Sequence, residues 1–153
     1  MWRRFGNLPN NFGNLQALKA LVLHELPLLR LPASFTSLAS LETFLLVGCE
    51  EVEELPAGFG CLTALWTLSL AYVPTLDLPE DLGGLTNLQT FHLNRNRQEQ
   101  LPSSFTQLAS LTRLELDGCD DKPAGGHSRR GHGSSAIPSG ISGEEWGLRG
   151  EGK

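Results

Sequence analysis

The sequence predicts an α/β solenoid in which short parallel strands line a concave face and short helices or 3₁₀ turns line the convex one. Three observations carry this. A Leu-Pro pair recurs five times at a near-constant interval, each pair opens the same order of apolar residues, and the apolar spacing changes from three to two within every repeat.

The pairs are Leu8-Pro9, Leu31-Pro32, Leu55-Pro56, Leu78-Pro79 and Leu101-Pro102, separated by 23, 24, 23 and 23 residues. Three residues after each Pro comes Phe12, Phe35, Phe59, Leu82 or Phe105. Leu15, Leu38, Leu62, Leu85 or Leu108 follows three later, then Leu18, Leu41, Leu65, Leu88 or Leu111. Steps of three predict a short helix or 3₁₀ turn. Pro is expected at the first helical position, where its fixed φ fits and its missing N–H costs nothing. The preceding Leu is pushed toward extended backbone, which parts the turn from the strand before it. Alternating pairs such as Leu21-Val22-Leu23 and Leu114-Glu115-Leu116 then predict a strand with one buried face. Three residues past each pair stands Leu26, Cys49, Val73, Asn96 or Cys119.

This order resembles the leucine-rich-repeat family, written L-x-x-L-x-L-x-x-N/C-x-L, over roughly residues 2–121. The form L-P-x-x-F-x-x-L-x-x-L is similar to the intracellular plant and Ras-group type, and the segment from Ser40 to Pro56 resembles the repeats of plant disease-resistance proteins. Extracellular plant receptor repeats carry Gly-x-Ile-Pro where this chain has x-x-Leu-Pro. The resemblance implies that Asn96, Cys49 and Cys119 fill the turn after the strand and satisfy its backbone groups. Leu26 and Val73 cannot, so the ladder along that column is expected to break in the first and third repeats.

The repeats define a domain over residues 1–121, with repeats starting at 8, 31, 55, 78 and 101. Residues 122–153 hold nine Gly and five Ser among 32, which predicts a disordered tail. Trp2 and Phe5 stand where Cys49 and Val52 stand before Leu55, so the chain reads as starting just after a strand, with those two as an improvised lid. Neither end shows a polar-faced cap, the pattern expected of a fragment of a longer repeat protein.

Partner binding is expected on the concave face, where the residues flanking the buried Leu-x-Leu positions form three columns. They are Ala20, Thr43, Thr67, Thr90, Arg113; Val22, Leu45, Ser69, His92, Glu115; and His24, Val47, Ala71, Asn94, Asp117. Val22, Leu45 and Val47 form an apolar end. His92, Asn94, Arg95, Arg113, Glu115 and Asp117 form a charged and polar end. The join near Ser69, Tyr72 and His92 is the expected centre, because interfaces combine an apolar core with a polar rim. Five strands about 4.8 Å apart offer a few hundred Å², against about 800 Å² per partner in a standard interface. A short peptide, or a surface including further repeats, fits that size.

Composition narrows the rest. The net charge of −5 divides into −7 over residues 1–121 (seven Lys/Arg, fourteen Asp/Glu) and +2 over residues 122–153 (five against three). An acidic body argues against nucleic acid, which demands clustered Lys/Arg. No run of eighteen apolar residues and no secretory signal is present, so a cytoplasmic protein without a membrane span is expected. Cys49, Cys61 and Cys119 are odd in number and lack C-x-x-C spacing, which argues against a disulfide framework or a zinc site. Glu50, Glu51, Glu53 and Glu54 are expected to be a solvated acidic loop, and Trp66 to be partly buried against a neighbouring repeat. No phosphate loop, G-x-S-x-G elbow or H-E-x-x-H motif occurs, so the sequence predicts no enzyme, cofactor, metal or small-molecule substrate. The expected function is a protein–protein interaction module, as recognition repeats of an intracellular immune-receptor-like or signalling scaffold protein. A small-GTPase or phosphatase regulatory scaffold and a non-functional fragment are the alternatives.

Overall fold

The computed structural model describes residues 6–118. The lid of Trp2 and Phe5, the side chain of Cys119, the boundary at residue 121 and the tail over 122–153 lie outside the described residues. Within them, each alternating segment, Leu-x-Leu in three repeats and Phe-x-Leu at Phe44 and Phe91, is a five-residue strand: β1 Ala20–His24, β2 Thr43–Val47, β3 Thr67–Ala71, β4 Thr90–Asn94 and β5 Arg113–Asp117. They form one parallel sheet in the order β1-β2-β3-β4-β5. The convex side carries 3₁₀ turns at Phe12–Asn14, Ala33–Ser37, Phe59–Cys61, Glu80–Gly84 and Ser103–Gln107. No α-helix occurs among the described residues, because a 23-residue circuit leaves room for a single tight turn.

Three of the five prolines, Pro32, Pro79 and Pro102, sit one place earlier than the sequence suggested. Pro32 (φ −67°, ψ 150°) and Pro79 (φ −72°, ψ 148°) are extended residues immediately before the turns, not their first helical residues. Their carbonyls start the turns instead, accepting from Phe35 at 2.9 Å and Leu82 at 3.2 Å, as Pro9, Pro56 and Pro102 do from Phe12, Phe59 and Phe105. Proline remains suited to this place, since its ring holds the φ that an extended cap needs and the turn asks only for its C=O.

The core is a set of continuous columns through the repeats. Phe44, Leu68 and Phe91 lie fully buried beneath the sheet, with Leu46, Leu70 and Leu93 beside them. Phe12, Phe35 and Phe59 stack with ring centroids 6.2 Å apart and planes within 9°. Leu82 interrupts that spine. Phe91 on β4 supplies an aromatic nearby, packing on Phe105 at 5.6 Å. Close approach of successive turns depends on glycine. A Cβ on Gly60 would lie 2.0 Å from the Asp81 carbonyl oxygen. No helix among the described residues is long and apolar enough to cross a membrane.

Candidate functional site

Parallel register places the three concave columns as alternation implied. Val22 pairs with Leu45, Leu45 with Ser69, Ser69 with His92 and His92 with Glu115. Thr43, Thr67, Thr90 and Arg113 align on one side of that row, and Val47, Ala71, Asn94 and Asp117 on the other. The structure therefore brings Ser69, His92, Asn94, Arg113, Glu115 and Asp117 onto one continuous face.

That face is less open than alternation suggests. Leu45, Val47, Ser69 and His92 are buried, and Leu45, Val47 and Ala71 make a small apolar cluster of their own. On a concave sheet, outward-pointing side chains only about 4.8 Å apart converge, so the middle of the array shields itself. Val22 alone of the apolar end is exposed. At the other end Arg113 and Glu115 are half-buried and Asp117 is exposed.

His92 is the chemically distinctive residue of the face. Its Nε2 lies 3.5 Å from a Glu115 carboxylate oxygen. Burial lowers its pKa below the ordinary 6.5, the Glu115 carboxylate opposes that and the Arg113 guanidinium adds to it. The imidazole is thus neutral near pH 7, and its approach to Glu115 is not an ion pair. Beside it, the Asn94 Oδ1 is buried and accepts no hydrogen bond. A buried amide oxygen without a donor is costly.

The rim of the sheet is a row of left-handed residues that sequence reasoning missed. Directly after each strand stands Glu25 (φ 51°), Gly48 (φ 66°), Tyr72 (φ 56°), Arg95 (φ 51°) or Gly118 (φ 63°). The turn demands this backbone, because it lets the N–H prolong the ladder: Tyr72 donates to Asn94 O at 2.9 Å and Arg95 to Asp117 O at 2.8 Å. Glycine takes the conformation freely, whereas an L residue is strained by about 1 kcal/mol. Gly48 and Gly118 at the same repeat position were the signal that could have found it. Tyr72 and Arg95 are both exposed, and the guanidinium carbon lies 5.5 Å from the Tyr72 ring centroid, a cation–π contact.

The neighbouring column behaves as the family resemblance implied. Asn96 is buried, its Nδ2 donates to the carbonyls of Val73 (2.8 Å) and Leu76 (3.1 Å), and its Oδ1 accepts from Gln98 N (2.7 Å). Cys49 is also buried but offers only long thiol contacts, to Leu23 O at 3.8 Å and Val47 O at 3.7 Å, and burial raises its pKa. Val73 is fully buried with no polar group to give, so the ladder breaks there. The acidic run Glu50, Glu51, Glu53 and Glu54 is exposed, as is about half of Trp66. Among the described residues no group of His, Cys, Asp or Glu could hold a metal ion.

No protein-family model and no curated protein matches this sequence. Solved structures do match. The leucine-rich repeat domain of the type III effector XopL superposes with a TM-score of 0.69 at 29% identity, covering 74% of this chain and 41% of that one. A plant ice-binding protein reaches 0.54 at 29% identity, covering 72% of this chain and 39% of the other. The plant peptide hormone receptor RGFR1, in complex with RGF2, reaches 0.52 at 25% identity, covering 73% and 22%. Five parallel strands in chain order, the 3₁₀ convex turns and these likenesses make the fold a leucine-rich-repeat solenoid. The chain spans about two-fifths of the length of the first two structures and less of the third.

Proposed function

We propose that this chain is a protein-interaction module that binds a protein or extended peptide over the charged half of its concave face and the adjoining rim. The contact centre is Ser69, Tyr72 and His92, bordered by Asn94, Arg95, Arg113, Glu115 and Asp117. The observation that carries the reading is the Tyr72–Arg95 pair. Two exposed side chains occupy strained left-handed positions where glycine serves two other repeats, and they stack on each other beside the sheet. Strain kept at an exposed edge is a mark of a site, and Tyr and Arg are the side chains that dominate interface energetics. Resemblance to the intracellular plant repeat type, together with a likeness to a receptor solved with its peptide hormone, supports recognition repeats of an immune-receptor-like or signalling protein. Nothing in the fold favours the GTPase-regulator alternative.

A displayed random-peptide library selected on the immobilised full chain tests the reading. Enriched peptides should lose affinity more than about tenfold, or 1.4 kcal/mol, on Arg95→Ala and on Arg113→Glu, and none on the convex Thr106→Ala. Equal binding by all three variants refutes the site.

A further inference from the structure

We propose that His92 and Glu115 act as a proton switch: the charged half of the concave face holds a basic partner side chain at neutral pH and releases it in acid. This rests on the reading of that face as a binding surface. The two residues pair in register across β4 and β5. The His92 Nε2 lies 3.5 Å from a Glu115 carboxylate oxygen, with 9% of the His92 side chain and 26% of the Glu115 side chain exposed. The other histidine among the described residues shows the contrast. His24 Nε2 lies 3.6 Å from a Glu25 oxygen, but those side chains are 50% and 76% exposed, so water screens their charges. A proton on His24 therefore changes little around it, whereas one on His92 is felt at close range.

The charged groups about the imidazole come from one side. On β3, Thr67, Ser69 and Ala71 face it and none of them titrates, with Tyr72 beyond them at the rim. On its own strand Thr90 and Asn94 flank it, and Arg95 follows at the rim. β5 brings Arg113, Glu115 and Asp117. Burial resists the charging of His92, the Glu115 carboxylate favours it and the Arg113 guanidinium opposes it, so the ring is neutral near pH 7. In that state His92 and the three charged side chains of β5 carry one net negative charge. A lysine or arginine brought by a partner then meets a half-buried carboxylate, where charge pairing is stronger than in open water. Protonation sets an internal cation beside that carboxylate and brings the net charge of the group to zero. Held in place by the sheet, the imidazolium acts at a high effective concentration and displaces the external cation.

Linkage sets the size of the response. A partner that excludes the protonated ring retains affinity in proportion to the neutral fraction of the free protein. At about pH 5.5 a group titrating below the ordinary 6.5 is still at least about one-tenth neutral. Affinity should therefore fall about three- to tenfold between about pH 7.5 and 5.5.

Two measurements on the full chain test this. In the first, the histidine rings are followed by NMR from about pH 8 to 5, with the His92 signals identified by their loss in His92→Gln. The His92 midpoint should lie below the ordinary 6.5 and fall further in Glu115→Gln, which removes the supporting carboxylate. A midpoint that Glu115→Gln leaves unmoved overturns the pair. In the second, histidine-free peptides selected from a displayed random library at about pH 7.5, and weakened by Arg113→Glu, are titrated at that pH and at about 5.5. Circular dichroism confirms the fold at both. The peptides should carry Lys or Arg, bind the wild-type chain about three- to tenfold more weakly in acid, and bind His92→Gln or Glu115→Gln with no such change. Glu115→Gln serves alone should His92→Gln fold poorly, since Glu115 is only half-buried. Equal or tighter binding by the wild type in acid overturns the switch and leaves the surface standing, as does a pH response that survives both substitutions. Peptides indifferent to Arg95→Ala and Arg113→Glu, or an empty selection, defeat the surface itself and the switch with it.

Discussion

Asn96 offers the sharpest test of how the repeats are held together. Its side chain spans two carbonyls and one amide, and the three contacts do not count equally. Val73 O also accepts from Leu76 N at 3.2 Å, so it keeps a partner when Asn96 is cut back to Ala. Leu76 O and Gln98 N lose theirs. An unsatisfied buried group costs about 1–3 kcal/mol, so Asn96→Ala should destabilise the fold by about 3 kcal/mol once the small packing loss is included. That is a fall of roughly 10 °C in Tm for a domain this size. Cys49→Ala, at the same place two repeats earlier, removes only a weak thiol donor at long range and should cost about 1 kcal/mol. Asn96→Asp discriminates further. It keeps the shape but turns a donor toward two carbonyl oxygens into an acceptor, so at neutral pH it should cost more than Asn96→Ala. Its carboxyl pKa would be raised in the folded state, so the penalty should shrink as pH falls and the acid regains a donating proton. Urea denaturation of the three variants, with slopes compared as well as midpoints, measures all of this. An Asn96→Ala midpoint no lower than that of Cys49→Ala, at unchanged slope, would refute the assignment of hydrogen bonding as the column's main contribution.

Other consequences are as direct. Gly60→Ala should destabilise by about 3 kcal/mol or more, read as a drop in Tm, because a methyl there would overlap the Asp81 carbonyl oxygen unless the two turns part. His92 holds its proton less tightly folded than unfolded, so stability is complete above about pH 6.5 and falls as pH drops from there toward the lower folded value. Urea midpoints at about pH 7.5 and 5.5 should show the decline, and His92→Gln should flatten it. In a Cys119→Ser background a thiol reagent should modify Cys61 at once and Cys49 only after denaturant is added, since Cys61 is exposed and burial raises the pKa of Cys49. Tyr72→Gly should leave stability level or slightly raised while weakening peptide capture, because it relieves the left-handed strain and removes the ring under Arg95.

The sheet register was legible because one spacing fixed it: with Leu21, Phe44, Leu68, Phe91 and Leu114 all buried or partly buried on one face, any slip by one residue would expose the set. The role of Asn96 was legible through the family resemblance, which assigns its column to the turn after the strand. Three features were not. Burial of Leu45, Ser69 and His92 follows from the curvature of the sheet, which alternation does not encode. The left-handed row was hidden because Glu25, Tyr72 and Arg95 are not residue types that announce a positive φ, although Gly48 and Gly118 in the same column do. Pro32, Pro79 and Pro102 were misplaced by one residue because an N-cap and a first helical position want similar φ values, and only ψ separates them.

The left-handed row explains how one architecture accommodates both constraint and choice. In the buried columns the substitutions are nearly all among Leu, Phe, Val and Cys, since each side chain there must fill the space between two neighbouring repeats. At the rim the backbone is equally constrained, yet the side chains run from glycine to Glu25, Tyr72 and Arg95. Glycine at all five places would give the less strained protein, so strain alone does not account for the three larger residues. Burial in the core does not account for them either, because all three are exposed. On the proposed binding site, a left-handed residue leaves the sheet at its edge, where its side chain would meet a partner lying over the concave face without displacing its buried centre. Arg95, held over Tyr72, would enter that proposed contact with part of its rotamer entropy already lost.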